Sequence, residues 1–132
     1  MIFPVESERE TGYRRYKNEE VAELAAQYDD VLIPFASIDP HKGKIGAREA
    51  RRLVEHYGVQ GFKFHPTLQC FYPNDRMAYT LSDAIADTGK PSLFPPAQPA
   101  VTSPIRGGSS PRLQFSHPRS THAVTRDFPA IP

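Results

Sequence analysis

The chain has 132 residues, 39% of them hydrophobic and 23% charged, and its formal net charge is +1. This length suits one soluble domain, and so balanced a charge predicts neither nucleic acid nor an acidic membrane surface as a partner. The single cysteine, Cys70, cannot form an internal disulfide, and no apolar run suits a signal peptide or a membrane span. We therefore expect a cytoplasmic protein without membrane contact.

Helical and strand patterns alternate from Asn18 onward. Apolar residues at helical spacing predict a first helix from Asn18 to Tyr28, with Asn18 as its N-cap. The continuous apolar run Val31–Ala36 follows and predicts a strand buried on both faces. Pro34 lies inside this run and removes one hydrogen-bond donor, so we expect the strand to be irregular there.

The same alternation continues to Phe94. A second helix is predicted over Ala47–Tyr57, ended by Gly58, and a second strand over Val59–His65. A third helix runs from about Asp75 to Gly89, and Ser92 begins another strand. This order is typical of repeated βα units around a parallel sheet with right-handed crossovers.

Beyond Phe94 the regular pattern stops. Nine of the 14 prolines lie between Pro91 and Pro132, and two adjacent glycines fall among them. Such a composition predicts loop, apart from a short helix around Thr121 to Phe128. We therefore divide the chain into an ordered α/β part, residues 1–94, and an irregular, mobile tail, residues 95–132.

Polar side chains follow two of the predicted strands. Asp39 and His41 come after the first strand, and Lys63 and His65 stand at the end of the next. Functional groups collect at the carboxyl ends of parallel strands. Because Lys63 and His65 are two positions apart, their side chains share one face of the strand, opposite Phe62. A histidine there can bind a metal, hydrogen-bond a carboxylate or move a proton, and a lysine can anchor an acidic substrate.

Each candidate also has a purely structural interpretation. His65 would cap its strand by bonding a neighbouring backbone group, and Lys63 would extend its amine into water. Asp39 would form an Asx turn before Pro40. His41 is interpreted as a solvated turn residue. The residues alone leave both interpretations of the first three open.

Two blocks of the sequence resemble a known superfamily. Residues 33–43 (IPFASIDPHKG) and 61–69 (GFKFHPTLQ), the latter followed by FYPND, are similar to the amidohydrolase-related superfamily, in the branch of aminocarboxymuconate-semialdehyde decarboxylase-like enzymes. The resemblance is good from Phe3 to Phe94 and weaker after it. It implies a TIM (β/α)8 barrel, which needs about 250 residues to close. We therefore expect a partial barrel of about three βα units.

The resemblance also implies a metal centre in the family. There a divalent metal, often zinc, activates water or polarises the substrate for hydrolysis or decarboxylation. A His-x-His pair on the first strand and a histidine after a Leu-Phe pair on the fifth supply ligands. This chain begins near the end of the second strand, at residues 2–4, has Pro95 after Leu93-Phe94, and ends at Pro132 before the later ligands. We therefore expect no metal ligands and no retained metal.

The function that follows is a remnant of such a hydrolase or decarboxylase, inactive alone. Lys63 and His65 match the family's fourth-strand block, and we predict His65 as the catalytic residue. Lys63 and Asp39 are predicted to bind a small carboxylate-bearing substrate. Two alternatives stay open: a binding or assembly module that self-associates through exposed sheet edges, and half of a split enzyme.

Overall fold

The computed structural model describes residues 1–95, Phe115 and residues 118–128. Its helices alternate with short strands along most of that range. The elements are α1 (Glu8–Thr11), α2 (Asn18–Gln27), β1 (Phe35–Ala36), a 3-10 turn (Pro40–Lys42), α3 (Lys44–Tyr57), β2 (Gly61–Lys63), α4 (Pro66–Gln69), α5 (Arg76–Thr88), β3 (Ser92–Leu93) and α6 (Pro118–Asp127).

The strands form a parallel sheet in the order β1-β2-β3. Phe35 lies opposite Gly61, and Lys63 lies opposite Leu93. Ile2 adds a single parallel bridge to Pro34 outside β1. Neighbouring strands are thus consecutive in the chain and joined by helices, which confirms the predicted α/β architecture of successive βα units.

The predicted strand over Val31–Ala36 was wrong in its first half. Val31 and Leu32 donate their N–H groups to the carbonyl of Tyr28 at 3.1 and 2.8 Å, so this stretch is a turn after α2. Val31 and Ile33 are exposed. Pairing starts with the Ile33 carbonyl, which accepts from the Ile2 N–H, and continues with the Pro34 carbonyl, which accepts from the Gln60 N–H, both at 2.9 Å. The apolar run therefore predicted a strand in the right region. The strand begins later than predicted because Val31 and Leu32 hydrogen-bond within the turn.

The predicted N-cap of the first helix was also wrong. Lys17 is the N-cap of α2, and Glu20 reaches back to its N–H. The Asn18 side chain is instead buried, where its amide accepts from the Ser37 N–H and donates to the Ser37 carbonyl, both at 2.9 Å. Asn18 therefore fastens α2 to the loop after β1.

The hydrophobic core lies between the sheet and the helices. It joins the helix-facing strand residues to one side of α3 and α5. Its largest members are Phe62, Phe64, Phe71, Ile38, Leu53, Leu81 and Ile85. Phe64 extends it by stacking on Phe94, with ring centroids 5.0 Å apart. Burial of this kind contributes roughly 25 cal/mol per Å² of apolar area and carries most of the stability.

The helix α6 packs against α5. Its Val124 is buried, and Phe128 meets Tyr79 edge to face at 4.9 Å. Phe115 meets Tyr72 in the same way at 4.7 Å. The short helix was expected around Thr121 to Phe128, and α6 begins three residues earlier. The rest of the expected irregular tail lies outside the described residues. Among the described helices, none has the length and apolar content that crossing a bilayer requires.

Candidate active site at the carboxyl ends of the strands

The side chains of β2 divide between two faces of the sheet. Phe62 and Phe64 are buried towards the helices, whereas Lys63 and His65 are only half-buried on the opposite side. We call that side the inner face, and its members are Phe3, Phe35, Lys63, His65 and Leu93. The expected alternation along β2 is therefore present, because successive residues of a strand point to opposite faces.

His65 ends the strand segment with an unsatisfied ring. Its Nε2 atom is buried and has no hydrogen-bond partner, and the ring lies against Phe3 with centroids 6.1 Å apart. The ring forms no capping bond to α4, which begins at Pro66. Burial, with a smaller contribution from the charge of Lys63, lowers the pKa of His65. The imidazole is thus neutral near pH 7, and its Nε2 atom has no partner among the described residues.

Lys63 shares the contact with Phe3. Its Nζ lies 5.5 Å from the centre of the Phe3 ring, a distance at which a cation is attracted to an aromatic face. Within the described part of the chain, Lys63 joins none of the ion pairs. The inner face therefore carries a positive charge next to an unsatisfied imidazole.

Gly61 fits the inner face because the ring of Phe35 covers it. A Cβ atom built on Gly61 would lie 2.3 Å from Phe35 Cε1, which no real contact allows. The two residues are directly opposite in the strand register. Phe35 therefore covers the start of β2, and the polar pair Lys63 and His65 lies further towards the carboxyl end.

Asp39 follows β1 and has its own partners. Its carboxylate accepts from the His41 N–H at 3.0 Å, lies 2.7 Å from His41 Nδ1 and pairs with Arg9 Nε at 3.4 Å. The Asx-type turn proposed as its structural role is thus present. His41 is half-buried and bonded to Asp39 and Arg9. Asp39 keeps its predicted place after β1, with both carboxylate oxygens engaged.

A second polar group, which sequence reasoning missed, surrounds Glu6. Its buried carboxylate lies 2.6 Å from Lys42 Nζ, 3.2 Å from Arg15 Nη2 and 2.8 Å from the N–H of Asp39. Lys42 Nζ also lies 2.9 Å from Glu49. We call Glu6, Arg15, Lys42 and Glu49 the Glu6 cluster. Only the place of Glu6, four residues after the bridge at Ile2, could have pointed to it.

The Glu6 cluster balances two cations with two carboxylates. Burial alone would lower the pKa of Lys42, but hydrogen bonds and charges from Glu6 and Glu49 outweigh it and raise that pKa. Arg15 Nη1 is buried without a partner, although Nη2 of the same guanidinium reaches Glu6. The charges of this group are therefore used within the protein, as in a structural ion-pair network.

Comparison with known protein families shows to which family the chain belongs. A family model described as amidohydrolase matches residues 5–131. The chain belongs to the amidohydrolase family. No curated protein is similar enough to the chain to count as a match.

Solved structures agree with the family. A manganese-containing 5-carboxyvanillate decarboxylase from Novosphingobium aromaticivorans, with bound 4-hydroxy-3-methoxy-5-nitrobenzoic acid, superimposes with a TM-score of 0.65 at 17% identity and covers 86% of this chain. The enzyme of the same name from Sphingomonas paucimobilis superimposes with a TM-score of 0.62 at 16% identity and also covers 86% of this chain. The chain spans 36% and 37% of these two proteins. The likeness confirms the fold, a partial TIM-barrel-like amidohydrolase.

The described residues of this amidohydrolase do not fit a metal ion. Nowhere in residues 1–95, 115 and 118–128 do three His, Cys, Asp or Glu side chains gather closely enough to hold one. The strand register ends with Lys63 opposite Leu93, and Pro95 follows two residues later in the chain. Proline has no side-chain lone pair to offer, so Pro95 cannot be a ligand.

Proposed function

We propose that this chain is a remnant of an amidohydrolase-family hydrolase or decarboxylase that keeps part of a binding site for a small carboxylate and does not turn substrate over by itself. The observation that carries the binding site is the buried Nε2 of His65 beside the charge of Lys63, neither of which has a hydrogen-bond or ion-pair partner among the described residues. Buried polar groups without partners are rare in native proteins, and they concentrate at functional sites.

A carboxylate is the ligand that would satisfy both groups. Lys63 offers a positive charge, and the neutral imidazole of His65 offers an N–H from Nε2 in one of its tautomers. The ring of Phe3, in contact with both side chains, suits an aromatic body next to the carboxylate. The nitrobenzoic acid in the related decarboxylase has this chemistry. His65 would be the group that moved a proton in the ancestral reaction. Asp39, at the end of β1, would help to bind the substrate.

The lack of turnover rests on Pro95. It follows Leu93-Phe94, where the family resemblance implies a histidine ligand, and the described residues assemble no set of three ligand side chains. Without a metal to polarise the substrate, Lys63 and His65 can hold a carboxylate but cannot supply the charge stabilisation that the reaction requires.

Binding is tested by titrating the 132-residue polypeptide with 4-hydroxy-3-methoxy-5-nitrobenzoic acid and following its NMR spectrum. We expect shifts at Lys63 and His65, and a rise in the pKa of His65, because a nearby carboxylate favours the protonated ring. The corresponding amide is the ligand control, and Lys63→Met should weaken binding of the acid by about tenfold. Equal binding of acid and amide would refute the carboxylate site.

Turnover is tested separately with 5-carboxyvanillate and added manganese. We expect no release of carbon dioxide above that of a buffer control. Release that is lost in His65→Gln would show an active enzyme and overturn the remnant proposal while leaving the binding site intact.

The inner face favours a second candidate, an assembly module. Phe3, Phe35 and Leu93 are only half-buried there, and within the described residues β3 pairs with β2 alone. Open strand edges and apolar faces promote association. A second copy of the chain that covered this face would appear as a dimer in size-exclusion chromatography with light scattering, and Leu93→Lys should dissociate it. A monomer at all concentrations would eliminate this candidate.

A further inference from the structure

The Gln69 side chain joins three segments at the carboxyl edge of the sheet. Its Oε1 accepts from the His65 N–H at 2.9 Å, and its Nε2 donates to the carbonyls of Glu6 at 3.0 Å and Ile38 at 3.2 Å. Gln69 is 1% exposed. The three partners follow the Ile2 bridge, β1 and β2, so one buried amide connects the ends of two neighbouring strands and the segment that follows the bridge.

The orientation of this amide is fixed by its partners. A backbone N–H can only donate, so it must face Oε1, and two carbonyls can only accept, so they must face Nε2. A flipped amide would lose all three bonds. The Gln69 N–H also donates to the His65 carbonyl at 2.8 Å, and these two residues are therefore bonded reciprocally across the single turn of α4.

We infer that Gln69 is a positioning residue for His65, which it holds by the backbone so that the imidazole points into the inner face. The inference rests on the proposed carboxylate site, because the orientation of the His65 ring matters for function only if that site binds a ligand. Gln69 does not touch the ring itself. It links the backbone of His65 to that of Glu6, three residues after Phe3, and thereby helps to keep the His65 ring in contact with Phe3.

The test compares two near-isosteric substitutions. Gln69→Met removes the three side-chain bonds of Gln69. Asn18→Leu removes another buried amide of the described residues, whose bonds run to Ser37 and Glu49 and do not reach His65. Both should lower the melting temperature by similar amounts. Only Gln69→Met should raise the pKa of His65 measured by NMR without ligand, because a displaced ring regains water and moves away from Lys63. A general structural effect would shift the pKa in both variants or in neither.

The outcomes separate cleanly. An unchanged His65 pKa in folded Gln69→Met, or an equal shift in Asn18→Leu, overturns the inference. Should Gln69→Met fail to fold, hydrogen exchange of the wild-type side-chain amide decides: protons of Gln69 must exchange much more slowly than those of exposed Gln27, and equal rates overturn it. Failure of the carboxylate titration alone would reject the binding site, since these measurements are made without ligand.

Discussion

Two polar groups lie at the carboxyl edge of the same sheet, and they differ in whether their side chains have partners. In the Glu6 cluster, Glu6 and Glu49 lie within hydrogen-bond distance of Lys42. At the Lys63–His65 pair, Lys63 joins no ion pair within the described residues, and Nε2 of His65 has no partner. Both groups combine charge with burial, but only the first uses its charges internally.

The difference distinguishes a polar group that stabilises the fold from one that is proposed to bind a ligand. A buried ion pair with additional hydrogen bonds holds segments together, and its removal is costly because a charge is left behind. A cation and an imidazole without partners add nothing of this kind and make the empty fold less stable than an apolar pair would. The proposed carboxylate ligand would account for their presence, so substitutions in the two groups should have very different consequences.

The largest effect is expected from Glu6→Gln. Among the described residues it leaves Lys42 with Glu49 as its one carboxylate, and Arg15 with Glu49 and the more exposed Glu8. We expect a loss of about 3 kcal/mol in the free energy of unfolding. Urea denaturation measures it. The matched control is Glu23→Gln on the exposed side of α2, which should change stability by less than about 0.5 kcal/mol. Equal values for the two would mean that the Glu6 cluster does not stabilise the fold.

A smaller loss is expected when the inner face is overfilled. Gly61→Ala places a methyl group against the ring of Phe35 and should cost about 1–3 kcal/mol. The clash is tested by a double-mutant cycle with Phe35→Ala, in which the cost of Gly61→Ala should largely vanish. Additive losses would show that the ring of Phe35 does not cover Gly61, and the described shape of the inner face would then be wrong.

Local rules predicted much of the fold. Gly58 and Gly89 end α3 and α5 in the left-handed conformation expected of a C-terminal glycine. The alternation from Phe62 to His65 separated core from inner face, because a strand has a two-residue period whatever surrounds it. These features depend on neighbours in sequence, and the sequence contains them.

Long-range bonds explain what the sequence did not predict. Asn18 has the chemistry of an N-cap, but its amide serves Ser37, 19 residues away. Gln69 bonds the carbonyl of Glu6 across 63 residues. No spacing rule encodes such pairs, and the Glu6 cluster was missed for the same reason. The Lys63–His65 pair was found because the end of a strand is itself a local signal, whereas its lack of partners required the structure.

The next largest effect is expected in the pH dependence of stability, which tests His65 of the Lys63–His65 pair. The pKa of His65 is lowered in the folded state, so between that value and the ordinary one the unfolded chain binds more protons. Stability therefore falls as the pH drops below about 6.5. In His65→Gln this part of the fall should be absent. Urea midpoints at pH 7.5 and 5.5 measure it, and the difference between the two proteins isolates His65. Parallel curves would contradict a buried, neutral imidazole.

The smallest change in stability is expected from Lys63→Met, and it is the sharpest contrast with Glu6→Gln. Lys63 has no carboxylate partner among the described residues, so its charge can be removed without leaving another charge unpaired. We expect a change within about 0.5 kcal/mol. The pKa of His65 should rise nonetheless, because the charge of Lys63 contributes to lowering it. Urea denaturation and NMR titration give the two quantities. A loss as large as that of Glu6→Gln would reveal a structural role for Lys63 and remove the reason to assign it a ligand.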